Sequence, residues 1–232
     1  MLRHTQLWLS SIALAALMAS AGANTWDEAT NGGGDAGELP TTAQVTNLGI
    51  GPAPLLTITG TNDANDVDMY QIIICNPEFF DARVSANFDT QLWLFDLNGN
   101  GVLHNDDDPG GGNTSRIGAL AGNVFPANQS WSVWQPANLP AGVYYLAISR
   151  YNRDPRNAAN AFIWANSPFN QQRTPDGPGA PGPVNNWFGN TSAGGAYTIF
   201  LRGACCVPEP ASMVALGAGL AGLLGLRRRR TA

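Results

Sequence analysis

Apolar and polar positions in this chain alternate over short runs and never settle into a sustained helical period within its central part. Strand-like runs cover residues 55–59, 67–74, 82–88, 90–95, 101–104, 115–120, 130–134, 143–151 and 196–202, separated by Gly, Pro, Asn and Asp. About nine short strands punctuated by turns predict an all-β domain, a β-sandwich or jelly roll. Two runs, Gln91-Leu92-Trp93-Leu94-Phe95 and Val143-Tyr144-Tyr145-Leu146-Ala147-Ile148, are apolar at both parities. Such strands are expected to be central, buried against the core on one face and beneath covering loops on the other. Residues 24–54 read as a polar lead-in, its first part glycine-rich and flexible, and residues 152–195 as an irregular insertion in a domain spanning 55–204.

The longest uncharged apolar runs lie outside this domain. Near the start, Arg3 and His4 precede an apolar stretch over residues 7–18, followed by Ala21-Gly22-Ala23. A basic head, a short hydrophobic segment and small residues at Ala21 and Ala23 form the pattern of a signal peptide over residues 1–23, cut by signal peptidase before Asn24.

At the other end, Val207, Pro208, Glu209 and Pro210 precede an uncharged run over residues 211–226, and Arg227, Arg228, Arg229 and Arg230 follow. The two prolines mark a helix start, and the arginines favour a cytoplasmic end. Sixteen residues give a helix of roughly 24 Å, short for a bilayer, so the expectation is a short or transient span with the domain outside. Gly217, Gly219, Gly222 and Gly225 give the helix a small face suited to packing on another membrane helix. Residues 207–230 resemble the PEP-CTERM sorting signal of bacterial exported proteins. That resemblance implies passage through the inner membrane and a partner of the exosortase type, a membrane protease cutting near the Pro-Glu-Pro motif. An ordinary tail anchor shares the apolar run and the positive charge.

Charge narrows the partners. The chain has no lysine, and all twelve basic residues are arginine. Schiff-base chemistry on lysine is excluded. Between residues 24 and 207, seven arginines face sixteen acids, a net charge of −9, which argues against nucleic acid and in favour of cations. The cysteines, Cys75, Cys205 and Cys206, are odd in number. A bridge from Cys75 to one of the adjacent pair and a set of free thiols both remain open.

One stretch matches a calcium-loop template. In Asp96-Leu97-Asn98-Gly99-Asn100-Gly101-Val102-Leu103-His104-Asn105-Asp106-Asp107, oxygen donors stand at positions 1, 3 and 5 (Asp96, Asn98, Asn100). Glycine stands at position 6, Val102 offers a carbonyl and Asp107 closes at position 12. Two readings stand side by side: an Asn-Gly hairpin turn, and weak calcium binding with a dissociation constant on the order of 10⁻⁴ to 10⁻³ M. Asp66 and Asp68, two residues apart on a strand, form a lesser candidate for a cation or an arginine. His104, the one histidine left after signal removal, is expected at the surface and gives little support to catalysis. Trp131, Trp134, Trp164 and Trp187 offer either stacking faces for sugars or core filling.

The succession Asp66-Val67-Asp68-Met69-Tyr70, Gln91-Leu92-Trp93-Leu94-Phe95-Asp96 and Leu139-Pro140-Ala141-Gly142-Val143-Tyr144-Tyr145 resembles bacterial pre-peptidase C-terminal (PPC-like) domains. That resemblance implies a small β-sandwich, usually a non-catalytic accessory of secreted proteins, with calcium or extracellular polymers among the ligands of some members. The chain departs from the pattern in its long insertion and in carrying no peptidase. The expectation is therefore a non-catalytic exported protein of the cell surface or extracellular matrix. The alternatives are a calcium-dependent module binding extracellular polysaccharide, and an extracellular hydrolase, which requires a cleft that brings His104 or two carboxylates together.

Overall fold

The structure, a computed structural model, describes residues 24–48, 53–108, 112–118 and 139–208. The signal segment with Ala21 and Ala23, the strand expected at 130–134 with Trp131 and Trp134, the tail helix and Arg227 to Arg230 lie outside the described residues. Among the described residues no helix is long and apolar enough to cross a membrane.

Two sheets form a sandwich. The first runs β1 (Thr25–Asp27), β3 (Thr57–Asn62), β12 (Gly195–Arg202), β5 (Asp81–Ala86) and β8 (Arg116–Gly118). The second runs β13 (Ala204–Cys205), β4 (Val67–Ile74), β9 (Gly142–Arg150), β6 (Thr90–Phe95) and β7 (Gly101–Asn105), with β2 (Gln44–Val45) also pairing β4. The long strands pair antiparallel. The all-β sandwich expected from the alternation is the observed fold, and the runs at 67–74 and 90–95 coincide with β4 and β6.

Side-chain parity builds the layers. Tyr70, Ile72 and Ile74 of β4, Leu92 and Leu94 of β6, and Tyr144, Leu146 and Ile148 of β9 face the first sheet. There they meet Ile58, Val84, Tyr197, Ile199 and Leu201. The intervening residues, Val67, Met69, Trp93, Phe95, Tyr145 and Ala147, form a second apolar cluster on the opposite face, together with Ile163, Trp164, Val184 and Trp187 of the insertion. All six residues of β6 are buried. The segment expected to be irregular thus carries a two-stranded ribbon, β10 (Asp154–Arg156) with β11 (Asn186–Phe188), and roofs the second sheet.

The lead-in is likewise corrected. Residues 25–27 form β1, parallel to β3, and Trp26 is buried with its indole N–H donating to Gln44 Oε1 at 2.8 Å. The Gln44 amide donates to the carbonyls of Glu28 and Gly34, tying the following loop down. Polar composition concealed this because the loop's polar groups are satisfied by one another and by Gln44.

A disulfide joins Cys75 to Cys205, with Cα atoms 5.8 Å apart and a sequence separation of 130. Cys206 stays a buried thiol whose pKa burial raises. Cross-linking so long a loop removes much entropy from the unfolded chain. Replacing Cys75 and Cys205 together by Ala is expected to lower stability by about 2–5 kcal/mol in guanidinium denaturation at fixed pH, with the same slope sign and a lower midpoint.

Candidate functional site

The template loop folds as a hairpin. Asp96 N–H donates to the carbonyl of Asn100, and Gly99 N–H to the carbonyl of Asp96, with Gly99 at φ 82°, a conformation that favours glycine. Asp96 Oδ1 accepts from the backbone N–H of Asn98 and of Asn100, both at 2.8 Å, and Oδ2 accepts from the Asn100 amide at 3.0 Å. The strand β7 then separates Asp96 from Asp107, and five residues of strand span roughly 17 Å. Asp96, Asn98, Asn100, Val102 and Asp107 therefore do not surround one ion. The hairpin, one of the two readings the sequence offers, is the one the fold adopts, since a wrapped loop and a hairpin share the same Asn and Gly signals.

Carboxylates converge elsewhere. At one end of the sandwich Glu28, Asp35 and Asp68 each bring a carboxylate oxygen within 4.8 Å of the others. Asp68 shares the inward parity of Tyr70 on β4 and is fully buried, yet neither of its oxygens has a hydrogen-bond partner. Glu28 is positioned by β1, and its oxygens accept from the backbone N–H of Ala36 at 3.0 Å and of Thr61 at 2.9 Å. Gly60 permits the approach: a Cβ there would stand 2.7 Å from Glu28 Oε2 and 2.4 Å from the Tyr197 hydroxyl. Tyr197 and Tyr70 share a 2.5 Å hydroxyl pair beside the cluster. Asp66 takes a different role from Asp68, accepting from the N–H groups of Asp63 and Val67 to close the turn before β4.

Two oxygens held by one calcium ion at 2.3–2.6 Å lie at most about 5 Å apart, so the spacing of Glu28, Asp35 and Asp68 suits such an ion. The donor set is all oxygen, the preference of a hard cation, with Asp68 set beside the Glu28 carboxylate and the Tyr197 hydroxyl. Burial, then the neighbouring charges of Asp66 and Glu28, push the Asp68 carboxyl up to about 11. Burial also raises the Asp35 carboxyl, with Asp66 and Glu28 adding to it.

A second group, Asp89, Asp106 and Asp107, meets the same 4.8 Å limit. Asp106 is 4% exposed and pushed up to about 8, first by burial and then by Asp107 and Asp89. Asp107 of the template thus belongs to this group.

His104 is buried, contrary to the surface position expected. Its ring stacks on Trp93 with centroids 3.7 Å apart, and Nδ1–H points to the Leu92 carbonyl at 3.1 Å. Burial lowers its pKa to about 3, so the imidazole is neutral at physiological pH. Trp164 and Trp187 are buried around the same indole, at 5.3 and 5.9 Å, and fill the roof rather than present stacking faces. Beside them the insertion leaves a pocket of about 320 Å³, lined among others by Asn152, Asp154, Phe162, Trp164 and Phe188. Arg156 lies between the rings of Phe162 and Phe188, at 4.0 and 3.7 Å.

The chain leaves the fold at a fixed point. After β13, Cys206 N–H donates to the Ala53 carbonyl at 2.8 Å and Val207 N–H to the Thr46 carbonyl at 2.9 Å. Of Val207, Pro208, Glu209 and Pro210, the first two are described. A family model, the PEP-CTERM protein-sorting motif, matches residues 207–230. This segment is a PEP-CTERM sorting signal. The PEP-CTERM motif supports sorting of the chain by an exosortase system, with export, transient membrane anchoring and processing by an exosortase-type membrane protease. Comparison of the chain with curated proteins and with solved structures gave no match.

The raised carboxyls set the pH dependence of the metal-free fold. An unfolded aspartate titrates near 3.9. Between pH 7 and 9 the native state keeps the proton of Asp68, and up to about pH 8 part of that of Asp106, while the unfolded chain has released both. Stability therefore falls as pH rises. His104, whose folded and unfolded forms are both neutral there, adds nothing. In chelator, scanning calorimetry should show a melting temperature lower by roughly 5 °C at pH 9 than at pH 7, whereas an unchanged value would mean the carboxyls titrate normally.

Proposed function

We propose that this chain is a non-catalytic exported protein of the cell surface or extracellular matrix, delivered as a folded, calcium-braced β-sandwich and freed from its membrane tail by an exosortase-type protease. One observation carries the reading. The sorting signal begins at Val207, the residue at which the fold closes, held by Thr46 and two positions after the disulfide at Cys205. A cut near Pro208 to Pro210 leaves every strand among the described residues, and the disulfide, on the released side. The sandwich fold also fits the resemblance to PPC-like accessory domains.

Calcium would be held by Glu28, Asp35 and Asp68. Its charge would offset three mutually repelling carboxylates, two buried and that of Asp35 exposed, and it would fasten the loop after β1 to β4. A second reading, a calcium-dependent module for extracellular polysaccharide, is favoured by the pocket over β10 and β11. Its aromatic walls and its polar Asn152 and Asp154 are the mixture that sugar rings engage.

The intact mass of the mature protein in membrane and medium fractions tests the first reading. A released form beginning near Asn24 and ending between Val207 and Pro210 is expected, and a sole membrane form retaining Arg227 to Arg230 would overturn it. Asp68→Asn is expected to shrink the calcium-induced rise in melting temperature, and an undiminished rise would place that ion elsewhere.

A further inference from the structure

Asp89 lies in the turn before β6, and Asp106 and Asp107 follow β7, so the antiparallel pairing of these strands, with Leu92 opposite Asn105, brings the three together. The backbone around them is pinned at every approach. Tyr151 N–H donates to the Asp89 carbonyl at 3.0 Å, the Asn105 amide to the Asp107 carbonyl at 2.7 Å, and Asp107 N–H to the Phe169 carbonyl of the insertion at 3.1 Å. The carboxylates are not so provided for. Oδ1 of Asp89 and Oδ1 of Asp106 are buried atoms without a hydrogen-bond partner, and Asp106 is among the buried charged residues of the fold. Asp89 Oδ2 has a long contact from the Asn113 amide at 3.4 Å.

Arg173 and Arg150 lie close enough for their charge to offset Asp106 and Asp89 in part, but the hydrogen bonds they make go to other groups. Arg173 pairs with Asp176 at 3.0 Å and donates to the Ser167 carbonyl, and Arg150 donates to the Ala193 carbonyl. Asp154 adds a further negative charge acting on Asp106. Three oxygens within 4.8 Å, two acids with an unpartnered buried oxygen, and no imidazole or thiolate among the donors describe a site for a hard divalent ion.

We propose that Asp89, Asp106 and Asp107 form a second divalent-cation site, taking calcium, which clamps the insertion onto the second sheet. The site is separate from Glu28, Asp35 and Asp68 and shares no ligand with them. Its mechanical link is the Asp107 to Phe169 hydrogen bond, which fastens the site to the segment carrying the walls of the 320 Å³ pocket. An ion there fixes the roof above Trp93 and Trp164 in an extracellular medium, where calcium is abundant and the insertion has few regular strands of its own.

The test is the number of calcium ions bound by the exported protein, counted by native mass spectrometry and calcium titration in calcium chloride, for the wild type, Asp106→Asn and Asp68→Asn. Two ions are expected for the wild type and one for each variant, with proteolysis of residues 157–185 accelerated by chelator in the wild type and insensitive to calcium in Asp106→Asn. Asp107→Asn, at a half-buried position, gives the same reading should Asp106→Asn fail to fold. Loss of the ion in the Asp106 or Asp107 variant alone supports this site and sinks the one at Asp68. An unchanged ion count in both Asp106→Asn and Asp107→Asn, or a single wild-type ion removed by Asp68→Asn, overturns the proposal.

Discussion

The second sheet is dry on both faces, and most of the architecture answers that constraint. Its strands β4, β6 and β9 carry apolar side chains at both parities, so packing against the first sheet leaves a second hydrophobic face that water would otherwise cover. Trp93 and Phe95 alone present a large aromatic surface there. The insertion covers it by inserting Ile163, Trp164, Val184 and Trp187, with the indole N–H of Trp187 donating to the Glu38 carbonyl at 2.7 Å. A segment of little regular structure is thereby held in place by side-chain burial, together with backbone hydrogen bonds such as the pair between His104 and Arg173.

That roof also decides what the buried polar groups can do. His104 is enclosed between Trp93 and Trp164 and stays neutral, so the chain's histidine outside the signal segment is a packing residue. The acids at the sheet edges are drawn together without enough donors to satisfy them. Dry carboxylates in proximity either keep a proton or hold a cation, and the raised values of Asp68 and Asp106 express the first state. A metal ion would convert each repulsive group into a tie between segments far apart in sequence: residues 28–35 with β4 in one case, the turn before β6 with the segment after β7 in the other.

The sorting signal meets this body at its most constrained point. The disulfide, the short β13 and the bonds of Cys206 and Val207 keep residues up to 207 on the sandwich. The exit fits a division of labour in which the tail carries the address and the sandwich carries whatever the protein does outside the membrane.

The sequence by itself determined the long strands, the double burial of β6 and β9, the acidic charge and the sorting signal. Each of these is local, a matter of alternation, composition or a contiguous motif. It also misplaced what depends on contact between distant residues. Polar spacing around Asp96 mimicked a metal loop, because Asp, Asn and Gly serve a hairpin equally well. Only the tertiary structure paired Cys75 with Cys205, set Asp68 beside Glu28 and Asp35, and moved Asp107 into company with Asp89 and Asp106. It also buried Trp26, Trp164 and Trp187. The physical reason is that strand register and sheet order choose which carboxylates meet, and neither is written in the spacing of residues along one chain.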